Sequence, residues 1–355
     1  MVKAISIRKV DGKPGQVYYP LEHIEIPNRE PKENEVVVGI TAAALNHRDL
    51  FLRQHLYPGT TFGVPLLADG TGIVTSTGSS PAAKKWAGKR VIINPGSGWK
   101  DDPEGPESST GYAILGGTKM NPLGTLGETV TIDAGELEEA PTHLSSIEAA
   151  ALPLTGLTAW RATMTKSGNA KPGRNILITG IGGGVAIMAL LFAVAAGANV
   201  FVTSGSQAKI DKAVSMGAKG GVSYKEKGWE KTLKEVLPAE RKQLDAIIDG
   251  AGSDVVDKGA KLLKVSHPVS PWIAPTDIAF AAWRRDHSLW HDNIANDAFL
   301  NGRRAQEHRG TGLDHGLTER VRRHGQVRPR EEPEACRLKV CEWRSGQPRW
   351  HRLAV

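Results

Sequence analysis

The stretch 175-NILITGIGGGVAIMAL-190 decides the fold. Asn175–Thr179 is a short, mostly β-branched run that reads as a buried strand, whereas Val185–Ala196, apolar and rich in Ala and Leu, reads as a helix. Strand, glycine turn and helix together open a βαβ unit. The helix N-terminus turns unpaired backbone N–H groups, and the positive end of the helix dipole, toward whatever lies over the turn. A phosphate suits that place.

Downstream the alternation continues: ANVFVTSG as a strand, AKIDKAVSMGAK as a helix, GGVSY as a strand, EKTLKEVL as a helix and LDAIIDGAG as a strand. This is the pattern of a doubly wound parallel sheet. Upstream, HLSSIEAAALPLTGLTAWRATM reads as helix opened by the capping residue Ser145. Before it, short strands such as VKAISIRKV, EVVVGITAAAL, GIVTST, KRVIINP and GETVTI are broken by Gly, Pro and Asn, which predicts a β-rich barrel or sandwich. Residues 96–124 form a long loop, of the length that often carries function. The fold class is therefore α/β, with a β-rich domain over residues 1–150 and a dinucleotide-binding domain over residues 151–264.

The glycine turn departs from G-x-G-x-x-G. Gly180 and Gly182 take the first two places, but the third falls on Val185. Moved by one residue, the turn presents Gly183, Gly184 and Val185 to the ligand, with Ala186 as the small residue for helix packing. NAD sites place Asp or Glu at the end of the second strand to take the ribose hydroxyls. Here that end reads Ser204, Gly205, Ser206, with Lys209 one turn on. No carboxylate repels a 2′-phosphate, and hydroxyl and cation are at hand to bind one. NADPH is the expected cofactor.

The bulk numbers exclude other classes. A chain of 355 residues, 40% hydrophobic and 23% charged, suits two globular domains. No apolar run reaches spanning length, and MVKAISIRKV alternates like an edge strand rather than a signal peptide, so no membrane is expected and a cytoplasmic location is. The net charge of +7 is spread as 30 basic against 27 acidic residues before Val265 and 15 against 11 after it. Without a basic stripe, nucleic acid is not an expected partner. Cys336 and Cys341 alone make neither a disulfide framework nor a four-cysteine zinc lobe.

LNHRDLFLRQHLY, PLLADGTGIV, GTLGETVTI, AAALPLTGLTAW, the glycine turn, SMGAK and AIIDGAG, in this order, resemble the medium-chain dehydrogenase/reductase superfamily over residues 2–264. Within it the chain is similar to the zinc-independent quinone oxidoreductase and enoyl reductase-like branch, whose members are often labelled zinc-type alcohol dehydrogenase-like. The resemblance implies a GroES-like catalytic domain, a Rossmann domain, a small-molecule substrate bound in the cleft between them, and a homodimer. Zinc-dependent relatives place a Cys at Asn46, a His-Glu pair at Ala68 and Asp69, and a third ligand at Leu154, so no metal site is expected; His47, His55 and Asp49 are poor substitutes. By the same resemblance Asn46 lies near nicotinamide and substrate, Thr158 packs on the nicotinamide ring, and Tyr224 meets the adenine-ribose phosphate. Phe51 stands at the first of two usual tyrosine positions and cannot donate a proton, leaving Tyr57 as the candidate for the substrate oxygen.

The expected activity is NADPH-dependent hydride transfer to a quinone, enone or enoyl-type C=C bond. The alternatives are a catalytically silent dinucleotide-binding protein and, third, a zinc alcohol dehydrogenase. The resemblance stops at Lys264. Up to and including Lys264 the chain has 22 Lys and 8 Arg, after it 1 Lys and 14 Arg, together with 5 of the 9 Trp and 7 of the 11 His. Enrichment in Arg, Trp, His and Pro is what an out-of-phase reading of a GC-rich gene gives. Residues 265–355 are read as such an aberrant tail, poorly ordered, with prolines 268, 271 and 275 opposing a central strand. The Rossmann sheet is then incomplete, the dimer edge is lost, and low stability and weak activity follow.

Overall fold

The computed structural model describes residues 1–102, 105–252, 258–259, 261–264, 278–280, 339–344 and 347–352. Its residues divide into two compact units, and the division falls between Leu157 and Thr158, seven residues beyond the boundary read from the sequence.

The first unit is β-rich. Strands β1 (Val2–Ile7) and β2 (Leu21–Ile26) pair antiparallel. β1 is buried at five of its six positions, so it is no exposed edge strand. The main sheet is built on β3 (Glu35–Ala44), which pairs antiparallel with β4 (Asp69–Thr77); β4 pairs with β5 (Arg90–Ile93). The small strands β6 (Gly96–Ser97) and β7 (Ala113–Ile114) close the base of the long loop. β8 (Thr129–Asp133) returns to β3, and β9 (Leu137–Glu139) to β5. Helix α1 (His47–Arg53) follows β3, and the single turn α2 (Pro81–Lys84) follows β4. The core is aliphatic, with Ile7, Val38, Leu67, Ile93 and Leu115 among its fully enclosed side chains.

The helical stretch predicted after residue 143 is three pieces. α3 (Ser146–Ala150) starts on the capping box of Ser145 and Glu148. It stops because Pro153 lacks an N–H to continue it; Pro153 instead opens α4 (Pro153–Trp160), where a proline is well tolerated. A wider π-type turn then runs Arg161–Lys166.

The second unit holds β10 (Asn175–Ile178), α5 (Gly184–Ala195), β11 (Asn199–Ser204), α6 (Gln207–Ser215), β12 (Gly220–Ser223), α7 (Trp229–Val236) and β13 (Ala246–Asp249). The strands are parallel in the order β12-β11-β10-β13, the doubly wound arrangement expected. Alternation divides their side chains between two cores. Ile176, Ile178, Val200, Val202 and Ile248 face the side packed by Leu190 of α5 and Ile210 of α6. Leu177, Phe201, Val222 and Ile247 face Trp229 and Leu233 of α7. Both faces are covered, which is why β10 and β13 read as unbroken apolar runs.

A fifth parallel strand, β14 (Ile278–Phe280), pairs with β13 beyond the three prolines, which lie outside the described residues. Two complete mononucleotide halves supply six strands; five are described here. Most of the tail, Cys336 included, likewise lies outside the described residues. Its described parts also include β15 (Lys339–Arg344) and β16 (Gln347–Arg352), an antiparallel pair whose first strand joins the first unit along Ala42–Ala44 of β3. No helix among the described residues is long and apolar enough to cross a membrane.

Candidate functional site

In the second unit the glycine turn joins β10 to α5. Gly180 and Gly182 have φ of +62° and +117°, backbone that side-chain-bearing residues rarely adopt. Gly183 is the N-cap of α5 and brings no side chain to the first turn, so the N–H groups of Gly184, Val185 and Ala186 are left for an outside acceptor. The turn is tied to the end of β11: Ile181 N–H donates to the Thr203 carbonyl (2.8 Å) and Gly180 N–H to Thr203 Oγ1 (3.2 Å). It is tied to β13 as well, where Thr179 hydrogen-bonds Asp249 and the Asp249 carboxylate accepts from Gly252 N–H at 3.2 Å. β10 and β13 lie on either side of the point where the strand order reverses, the usual place for a ligand in an open α/β sheet.

Lys209 leans from α6 across the glycine turn. A Cβ at Gly182 would stand 2.9 Å from Lys209 Cδ and 3.3 Å from its Nζ. A Cβ at Gly205 would stand 2.7 Å from the Tyr224 hydroxyl and 2.8 Å from Lys225 Cε. Lys209 thus lies against Gly182, and Tyr224 with Lys225 against Gly205 at the end of β11. Ser204 does not join them. It is buried, its hydroxyl donates to the Ile181 carbonyl at 3.5 Å and accepts from Ser206 N–H at 3.3 Å, and it shapes the turn instead of facing a phosphate. Sequence pattern alone does not single out Lys225, because an exposed lysine after a strand is common on any protein surface. Thr158 is exposed on α4 beside exposed Leu157.

In the first unit Asn46, Asp69 and Leu154 come together. Asn46 Nδ2 donates to one oxygen of Asp69 (2.8 Å), and Leu154 N–H donates to the other (2.8 Å). Asn46 also caps α1, forming a reciprocal box in which its own N–H donates to the Asp49 carboxylate at 2.7 Å. Arg48 pairs with Asp49 (3.1 Å), donates to the Gly116 carbonyl (2.8 Å) and lies 4.7 Å over the ring of Tyr57. Asp69 and Asp49 are buried. Burial pushes the Asp69 carboxyl up to about 7 against the lowering effect of its two donors, and it raises Asp49 against the neighbouring Arg48 charge.

Tyr57 is not placed as expected. Its hydroxyl is shut off from solvent, burial raises its pKa, and its ring carries the Arg48 guanidinium. In this arrangement the hydroxyl is enclosed beside Arg48 and is not open to solvent. Phe51 is half-buried with its ring 5.8 Å from that of His47. Sequence reading treated Asp69 only as a replaced ligand position and missed the network it centres; a lone Asp beside glycines in a strand gives no sign of full burial.

Comparison with known proteins agrees with the two halves of this geometry. Residues 32–142 match the family described as alcohol dehydrogenase GroES-like domain, and residues 184–266 match that described as zinc-binding dehydrogenase. The chain is 50% identical over 265 residues to the zinc-type alcohol dehydrogenase-like protein YogA of Leptosphaeria maculans, a match spanning 73% of this chain and 74% of that one. It is 28% identical over 244 residues to quinone oxidoreductase 1 of Escherichia coli, covering 69% of this chain and 66% of that one. Among solved structures, an NAD-dependent alcohol dehydrogenase superposes with a TM-score of 0.63 at 33% identity, covering 74% of each chain. The chain belongs to the medium-chain dehydrogenase/reductase superfamily and is an oxidoreductase of that kind.

Proposed function

We propose that this protein is an NADPH-dependent reductase that passes hydride to a quinone, an enone or an enoyl-type C=C bond without zinc. The observation that carries the cofactor choice is the gathering of Lys209 and Lys225, with the Tyr224 hydroxyl, around Gly182 and Gly205 at a strand end that lacks a carboxylate. Two cations and a phenol there suit a 2′-phosphate; an Asp or Glu would suit free ribose hydroxyls. The N–H groups at the start of α5 suit the pyrophosphate. When bound, the nicotinamide supplies the hydride.

The family descriptions name zinc, but the donor set does not fit it. Of the four positions used by zinc-dependent relatives, Ala68 and Leu154 carry no donor, Asn46 carries only an amide, and Asp69 already accepts two hydrogen bonds. Among the described residues no group of three or more His, Cys, Asp or Glu side chains could hold a metal. Reduction of an activated C=C bond or a quinone requires no Lewis acid, because the oxygen on which charge develops needs only hydrogen-bond donors and a later proton. Asn46 offers such a donor, and Thr158 is the side chain proposed to pack on the nicotinamide. The partner proposed is a small-molecule substrate, in the cytoplasm; the resemblance suggests a homodimer, but its edge belongs to the part read as lost after Lys264.

One observation favours a second reading, a dinucleotide-binding protein without turnover: the hydroxyl of Tyr57 is enclosed and Phe51 has none. Titrating the 355-residue chain with NADPH and NADH by nucleotide fluorescence, then adding p-benzoquinone or trans-2-hexenal, separates the two. Saturable NADPH binding with oxidation on addition of acceptor supports the reductase; binding without oxidation supports the silent reading. Lys209→Glu is expected to weaken NADPH by about tenfold to a hundredfold, the loss of a charged hydrogen bond, and to leave NADH nearly unchanged. Equal affinity for the two nucleotides overturns the NADPH assignment.

A further inference from the structure

We infer that Asp69 is a positioning residue whose carboxylate fixes the side-chain amide of Asn46, so that an N–H and not a carbonyl is offered to the substrate oxygen. The inference rests on the reductase reading above and adds a residue that never touches substrate.

Each oxygen of Asp69 has one donor, Asn46 Nδ2 on one side and the Leu154 N–H on the other, both at 2.8 Å. Once ionised, above about pH 7, the Asp69 carboxyl only accepts, so it admits the NH2 end of Asn46 and rejects the carbonyl end. The oxygen end of the amide lies toward the first turn of α1, where the Asp49 N–H donates to the Asn46 main-chain carbonyl at 3.0 Å, and the Asn46 backbone N–H is held by the Asp49 carboxylate. With its oxygen toward the helix and one hydrogen on Asp69, the amide keeps a second Nδ2 hydrogen that meets no acceptor among the described residues. A donor held in advance is what an oxygen gaining negative charge needs, whether it becomes an enolate or a hydroquinone. An amide free to rotate would offer its carbonyl half the time.

The backbone that carries Asp69 is itself fixed. Thr125 Oγ1 donates to the Asp69 carbonyl at 2.7 Å. Two residues earlier Leu67, wholly buried, has φ of +65°, a conformation disfavoured for a large side chain. It is held by the Thr125 N–H on its carbonyl (3.0 Å) and by Leu126 N–H on the carbonyl of Leu66 (2.9 Å). Such strain persists only where surrounding contacts over-determine it.

Two variants and one spectrum test the assignment. Asp69→Asn has one oxygen and one NH2, so either Asn46 or the Leu154 N–H must face a donor. The reciprocal double variant Asn46→Asp/Asp69→Asn restores both hydrogen bonds, because the new amide donates to position 46 and accepts from Leu154, but it displays a carboxylate where the donor stood. The expected result with p-benzoquinone and trans-2-hexenal is a fall in kcat of about tenfold or more for the single variant, with KM for NADPH unmoved, and recovery of Tm without recovery of kcat in the double variant. A double variant that recovers both shows a merely structural pair and overturns the proposal, as does a single variant with full kcat. In the full chain labelled with 15N-asparagine, one of the two Asn46 side-chain protons is expected to resist exchange, and to lose that protection in Asp69→Asn. Equal, rapid exchange of both protons overturns the proposal even if turnover is normal. A protected proton in a chain that reduces neither acceptor upholds the positioning and sinks the reductase reading alone.

Discussion

At the scale of single residues, Asp69 has a consequence for stability. Its carboxyl titrates near 7 in the folded chain, against an ordinary value of about 3.8 when unfolded. Because the folded state holds the proton more tightly, the group makes stability fall as pH rises from about 4 to about 7, and the loss is complete above that. Asp49 and Arg48 are the charged neighbours that act on it, the first raising and the second lowering its pKa. Asp69→Asn, which loses a hydrogen bond but has no charge to bury, is expected to melt below the unaltered chain at pH 5 and to close on it by pH 8; a constant difference across that range contradicts the assignment. How much of the site was legible followed from which residues the backbone fixes. The glycine turn and Lys209 were readable, since a strand–glycine–helix sequence places them with little freedom. The inward turn of Ser204 and the enclosure of the Tyr57 hydroxyl were not, because each depends on a partner outside its own element, Ile181 for the first and Arg48 for the second.

At the scale of elements, the long loop over residues 96–119 is organised around one carboxylate. Glu107 accepts the N–H groups of Lys100, Asp101 and Asp102 at 2.9, 2.6 and 2.7 Å, and these contacts, led by those to Asp102 and Asp101, hold its pKa down to about 2. A depressed carboxylate contributes order above its unfolded pKa of about 4.5 and loses that contribution as pH falls toward about 2. Glu107→Ala is expected to speed amide exchange at residues 100–102 at neutral pH while leaving the second unit unchanged; exchange rates identical to the parent would show that the loop is held elsewhere. Ser145, by contrast, was visible in advance as a cap, because S-x-x-E is a local signal. Ser145→Ala is expected to cost about 1 kcal/mol, read as a lower Tm. The break between α3 and α4 follows from Pro153 alone and is masked in the sequence by apolar spacing that keeps the helical period on either side.

At the scale of the whole molecule, the sequence disclosed both domain types and the succession of parallel strands and helices along the chain up to β13, because buried parallel strands and amphipathic helices leave strong periodic signals. The part after Lys264 left none, and there the match described as zinc-binding dehydrogenase also ends, at residue 266. If residues 265–355 are an out-of-phase reading, translating the source gene with one base added or two removed near codon 265 will recover alternating strand and helix patterns, and the repaired chain will melt at a higher temperature than the present one. A translation without such patterns would establish the Arg-rich segment as the protein's own.

The pairing of β15 with Ala42–Ala44 joins positions ~300 residues apart, a separation that makes closure slow. A ribosome therefore delivers β3 long before it delivers the strand that covers this part of its edge. During that interval the short row of backbone groups at Ala42–Ala44 stands open beside the segment of β3 already taken by β8, and any other extended chain in the cell is a competitor for it.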